Sequence, residues 1–165
     1  MEIKIIEVNK QIRELLPETY KILTEANLTV HPYVYEVLLE GSRGPANCYR
    51  ADSDIDLSLL VDTEMLHRAA DEEGTLREII GTTLNNWEGP VELDTAAVFD
   101  IHHCRLHCLT ADFSLNSICP DKGADCLGIY KTQRGFNGYV PKFGVRIDRI
   151  HPLMTVWKRP FTSKF

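Results

Sequence analysis

The sequence predicts an α/β (α+β) domain. Three observations carry that expectation. β-favouring runs at residues 33–39, 54–61 and 91–99 alternate with segments of helical apolar spacing. The 165 residues and 44% hydrophobic content suffice for one closed core. No linker-like tract or repeat divides the chain.

The elements follow in order. Residues 3–25 place Ile5, Val8, Ile12, Leu15, Leu16 and Leu23 at roughly helical spacing, and Pro17 splits that helix because it lacks an N–H. Residues 27–32 read as a turn. Residues 33–39 are short, aromatic and aliphatic, and stop at Gly41, which predicts a strand. Residues 41–53 hold Gly, Pro, Asn and Ser and form a loop. In the next strand, 54–61, Asp54, Asp56 and Ser58 share one face while Ile55, Leu57 and Leu59 share the other. A helix starts near Thr63, breaks at Gly74 and resumes at a capping box of Thr75 and Glu78. Gly89-Pro90 ends it. Residues 91–99 are a third strand with Glu92, Asp94 and Ala96 on one face. Residues 101–118 fit either a helix or a strand pair, and 120–165 carry short β-like runs such as 144–150. The expected division is a core over 1–110 and a partly β extension over 111–165, packed on the core within a single domain.

Charge separates these two parts. Residues 1–110 hold 9 basic and 20 acidic side chains, and residues 111–165 hold 9 and 4. The net charge of −6 excludes a uniformly basic nucleic-acid binder. No run approaches the ~18 apolar residues of a membrane span, and the amino terminus lacks the apolar stretch of a secretory signal. Five cysteines are an odd number in a chain too large to need a disulfide scaffold, so reduced thiols and a cytoplasmic location are expected.

Chemistry concentrates at Asp54-Ile55-Asp56. Two carboxylates at i and i+2 on a strand point the same way and suit hard divalent cations. A third carboxylate, from a neighbouring strand, completes a centre able to activate a hydroxyl and neutralise a leaving pyrophosphate. A Gly-Ser turn at a strand end presents backbone N–H groups and a small hydroxyl to phosphate. Asp-x-Asp alone is a frequent chance pattern. The upstream Gly41-Ser42 and the downstream Asp94 give it weight.

Gly41-Ser42, an eleven-residue spacer and Asp54-Ile55-Asp56-Leu57 together resemble the signature of the nucleotidyltransferase superfamily of the DNA polymerase β type. Gly41-Ser42-Arg43 and Ser53-Asp54-Ile55-Asp56-Leu57 look most like its small, minimal members. Residues 91–94 look like the strand that carries the family's last metal ligand. The resemblance spans about residues 33–99. It implies a small mixed β-sheet with helices packed on one side. It also implies catalytic, metal-binding carboxylates at Asp54, Asp56 and Asp94 holding two Mg²⁺ ions, with Mn²⁺ as a substitute. Gly41, Ser42, Arg43 and Ser53 would bind the nucleotide phosphates. The chain departs from the family at Glu40, where an apolar residue is usual, and at Gly44-Pro45, where the spacing of a further glycine differs. Glu92 competes with Asp94 for the third ligand position, since both face the same way.

The expected activity is Mg²⁺-dependent transfer of a nucleoside monophosphate from an NTP to a hydroxyl, with release of pyrophosphate. The acceptor stays open among a protein side chain, an RNA end, another nucleotide and an aminoglycoside-like molecule. The acidic first part suits a cationic acceptor. The alternative is a non-catalytic NTP-binding or regulatory module on the same fold, of the toxin–antitoxin kind, acting through a protein partner or as a homo-oligomer.

Two further features stand apart. His102, His103, Cys104, His107 and Cys108 include i, i+4 pairs of metal-ligand type, but lack a Cys-x-x-Cys or finger spacing. Buried cysteines and partly exposed histidines are the commoner explanation. The basic extension interleaves Lys131, Arg134, Lys142, Arg146 and Arg159 with aromatics. It reads either as a wall for phosphates and bases or as a solvated appendage that complements the acidic part.

Overall fold

The computed structural model describes residues 4–100, 127–132, 138–140 and 152–160. The expected α+β class holds. Six strands form one mixed sheet: β1 (Val34–Glu40), β2 (Ile55–Val61), β3 (Leu93–Asp100), β4 (Leu127–Lys131), β5 (Gly138–Val140) and β6 (Met154–Lys158). Their spatial order is β5-β4-β3-β2-β1-β6. Strands β2 and β3 are parallel, and the other neighbouring pairs are antiparallel.

Among the described residues, four helices accompany the sheet: α1 (Gln11–Leu15), α2 (Pro17–Glu25), α3 (Thr63–His67) and α4 (Glu72–Leu84). Pro17 divides the first two as expected. It sits at the start of α2, where its missing N–H costs nothing. Residues 4–9, however, are extended rather than helical. Ile6 N–H donates to Leu28 and Asn9 N–H to Val156, and Ile5 bridges Thr29. Ile5, Ile6 and Val8 are β-branched, and that stiffness favours an extended backbone beside a receptive edge. Ile5 and Leu15, read from spacing as part of an apolar stripe, lie exposed.

The break between α3 and α4 also differs from expectation. It falls at residues 68–71, before Gly74 rather than at it. Asp62 caps α3 by accepting from the N–H groups of Glu64 and Met65, and Asp71 caps α4 by accepting from Gly74 N–H at 3.0 Å. A Cβ on Gly74 would strike the Asp71 carboxylate, so this glycine permits the cap. Thr75 lies inside the helix and donates to the Asp71 carbonyl.

Alternation along the strands separates two faces. Val37, Leu39, Ile55, Leu57, Leu59, Leu93, Ala97 and Phe99 join one buried cluster with Ile12, Leu23, Leu66, Leu76, Ile79 and Ile80 of the helices. Fully burying each such side chain contributes about 1.5–3 kcal/mol. The α3–α4 connection supplies the long crossover that a parallel β2–β3 pair requires. The opposite face carries Glu40, Asp56, Ser58, Asp94 and Ala96.

The extension contributes strands at both sides of this arrangement. β4 pairs with β3, and β6 pairs with β1. Arg159 closes the β6 side by donating to the carbonyls of Val34 and His31, with its guanidinium over the Trp157 ring. The division at residue 110, the His/Cys group at 102–108 and the β-like run at 144–150 lie outside the described residues. No helix among those described is long and apolar enough to cross a membrane.

Candidate metal centre

Strand register brings the carboxylates together. On the face away from the helices, Asp56 stands opposite Glu40 of β1 on one side and Asp94 of β3 on the other. Asp54 immediately precedes β2, where Ile55 N–H donates to the Glu92 carbonyl and fixes the strand's start. Asp54, Asp56 and Asp94 each offer a carboxylate oxygen, and these atoms lie within 4.8 Å of one another. Oxygens around one Mg²⁺ at ~2.1 Å stand about 3–4 Å apart, so small side-chain rotations close the set. Glu92 is exposed and precedes β3, so Asp94 is the β3 residue that joins the group.

The electrostatic cost falls on Asp56. Its carboxyl is pushed up to about 7, first by burial and then by Asp54, Asp94 and Glu40, with Lys131 acting in the opposite direction. Burial and the neighbouring carboxylates thus disfavour a full negative charge on this group. A divalent cation would compensate that charge.

Gly41 shapes the centre from the other side. It follows β1 with φ of +79°, a left-handed conformation that favours glycine. A Cβ there would collide with the Asp56 carboxylate. The backbone thus approaches Asp56 as closely as it can. The turn continues with Gly44 N–H donating to the Gly41 carbonyl at 3.0 Å. A Cβ on Gly44 would come within 2.9 Å of the Glu40 backbone, so the displaced second glycine has its own packing reason. The Ser42 carbonyl accepts from Cys48 N–H, and Ser42 itself is half-buried beside Gly41.

Two of the expected phosphate-binding residues are used differently. Arg43 is turned inward and is only 3% exposed. Its Nε donates to the Ser53 carbonyl at 2.7 Å, and its Nη2 donates to the carbonyls of Arg50 and Ala51 at 3.1 Å. The guanidinium lies over the Tyr49 ring, 4.4 Å from its centroid. Arg43 is a brace that closes loop 41–53. It is neither a solvated loop arginine nor aimed at a triphosphate. Ser53 helps to close the same loop, since its hydroxyl oxygen accepts from Arg50 N–H at 2.8 Å. A loop this rich in carbonyls without strand partners gives a buried five-donor fork more satisfaction than solvent-facing phosphate would.

Two residues outside the expected set belong to the centre. Glu40 Oε2 accepts from the Ser58 hydroxyl at 2.7 Å, which orients a fourth carboxylate on the same face. Its position just before Gly41 was the available signal. Lys131 of β4 places Nζ 2.7 Å from Asp94 Oδ1, with both side chains largely buried. Nothing in the sequence ties a lysine of the extension to Asp94; the link depends on β4 pairing with β3.

The donor set consists of oxygens, with no sulfur or imidazole, and suits Mg²⁺ or Mn²⁺ better than Zn²⁺. The uncompensated charge crowded on Asp56 and the Cβ-free approach of Gly41 fit a small hard cation beside a compact turn. Comparison with protein-family models, with curated proteins and with solved structures finds no match to this chain.

Proposed function

We propose that the protein is a Mg²⁺-dependent nucleotidyltransferase that moves a nucleoside monophosphate from an NTP to a hydroxyl acceptor and releases pyrophosphate. The observation that carries this reading is the convergence of Asp54, Asp56 and Asp94 on one sheet face, with Gly41 packed against Asp56. Asp54, Asp56 and Asp94 would hold the cations. The cations supply Lewis-acid neutralisation of the charge that develops on the transferred phosphoryl group and the leaving pyrophosphate.

The chain's own groups perform the rest. Backbone N–H groups of the Gly41-Ser42 turn would receive phosphate oxygens, while the missing Cβ of Gly41 makes room for the Asp56 carboxylate. Loop 41–53, closed by Arg43 through the carbonyls of Ser53 and Arg50, holds that turn in place. Asp94 would take the acceptor hydroxyl's proton when that hydroxyl lies in line with the α-phosphate. Strands β2 and β3 carry Asp56 and Asp94, and Asp54 stands directly before β2, which would limit their reorganisation during transfer.

The test is direct. Purified protein with Mg²⁺ or Mn²⁺, each of the four α-labelled NTPs and a cell extract as acceptor source is expected to release pyrophosphate and label an acceptor. Asp54→Ala with Asp56→Ala should abolish both. Absence of both with every nucleotide would overturn catalysis and leave an NTP-binding module, which retained nucleotide binding would then identify.

A further inference from the structure

We propose that Lys131 is a built-in competitor for the divalent cation, holding Asp94 with its ammonium so that the nucleotide-free centre binds metal weakly. This rests on the reading of Asp54, Asp56 and Asp94 as a metal centre.

The placement argues for it. Lys131 ends β4, one residue past Tyr130, which pairs with Ala97 of β3. Continuing that antiparallel register sets Lys131 opposite Ala96, on the face that carries Asp94. A methyl at position 96 leaves the route along the sheet to Asp94 open. The ammonium reaches Asp94 Oδ1 at 2.7 Å, the length of a charge-assisted hydrogen bond. The two side chains are 20% and 14% exposed, so solvent screens the pair poorly.

An ammonium and a divalent cation seek the same thing here: carboxylate oxygens in a partly desolvated, strongly acidic spot. With Glu40 beside Asp56, four carboxylates share this face. One positive charge already in place stabilises the cation-free fold. It also repels any incoming cation and occupies an oxygen that the cation would need. Lysine suits a displaceable role, because its flexible stem can withdraw the charge without disturbing the strand. Arginine, with a larger planar fork, would keep the charge but withdraw less readily.

Mn²⁺ alone, with no nucleotide, is the probe. Free Mn²⁺ is measured by electron paramagnetic resonance in titrations of the wild type, Lys131→Met, Lys131→Gln and Lys131→Arg. Lys131→Met and Lys131→Gln are expected to bind Mn²⁺ at least roughly five-fold more tightly than the wild type. Lys131→Arg should bind no more tightly than the wild type. Melting in EDTA should show both neutral variants folded and less stable, and their melting temperature should rise more with Mn²⁺ than that of the wild type. In an Asp94→Asn background, Lys131→Met should lose most of its gain. Equal or weaker Mn²⁺ binding by folded Lys131→Met and Lys131→Gln would overturn the competition while leaving the metal centre standing. A gain that persists in full without the Asp94 carboxylate would overturn the route through Asp94. No Mn²⁺ bound by any form would remove the metal centre and this proposal together.

Discussion

Asp56 illustrates how a candidate metal ligand works against the fold that carries it. Its carboxyl titrates at about 7 in the folded chain against 3.8 as the ordinary value. The folded state therefore keeps a proton that the unfolded state has lost. Below about pH 4 both states are protonated, and above about pH 7 both are ionised. Between these limits stability falls as pH rises, and the full cost is present above pH 7. Asp56 is only partly buried, which reduces that cost to about 1–2 kcal/mol. Urea denaturation in EDTA should find the wild type less stable at pH 8 than at pH 5 through this group. Asp56→Asn should flatten that part of the profile and stabilise the cation-free protein at pH 8 by about 1–2 kcal/mol. Mg²⁺ should stabilise the wild type at pH 8 and do little for the variant, which should also be inactive in transfer. A variant with the wild-type pH slope would show that Asp56 is not the strained group.

At the scale of elements, loop 41–53 is where local chemistry and position meet. Its ends join two strands of the centre, and Arg43 fastens its far part by three carbonyl contacts. Among the described residues, Thr19 of α2 ties the loop to the body, its hydroxyl donating to the Arg43 carbonyl at 2.7 Å. Arg43→Met keeps the stem and removes the fork. It should cost about 1–2 kcal/mol, since the part-buried carbonyls of Arg50, Ala51 and Ser53 lose a charged donor. Hydrogen exchange should quicken at amides 44–53 while β2 and β3 amides stay protected relative to the new global stability. Uniform acceleration across loop and sheet would assign Arg43 to the core instead. The alternation of Asp54, Ile55, Asp56 and Leu57 made β2 and its two faces legible, because period-2 burial needs only local sequence. Arg43 was not legible in that way: an arginine after Gly-Ser suits phosphate or solvent equally well until the loop's path is known. The extended residues 4–9 and the α3–α4 break eluded periodicity for a related reason. A neighbouring edge and an aspartate cap outweighed apolar spacing there.

Across the whole molecule, the opposed charges of the two parts meet at close range in the described residues. Lys131 contacts Asp94, Lys158 stands in register with Glu36, and Thr155 donates to Glu36 at 2.7 Å. Composition exposed the imbalance but not the pairings, because those depend on strands far apart in the chain. The same dependence reaches the centre itself. Asp54 and Asp56 meet Asp94 only across the parallel β2–β3 pair. Closing that pair joins strands separated in sequence by the α3–α4 crossover, a non-local contact with a chain-entropy cost of its own. A cation bridging these strands has nothing to grip in a half-formed chain. Stopped-flow measurements should find that Mn²⁺ leaves the refolding limb nearly unchanged and slows unfolding by the whole of the stability it adds. A faster refolding limb would instead place β2 and β3 together in the folding nucleus. Such a cation would lengthen the lifetime of the finished structure, and apo and loaded proteins that fold at the same speed would differ chiefly in how long they last.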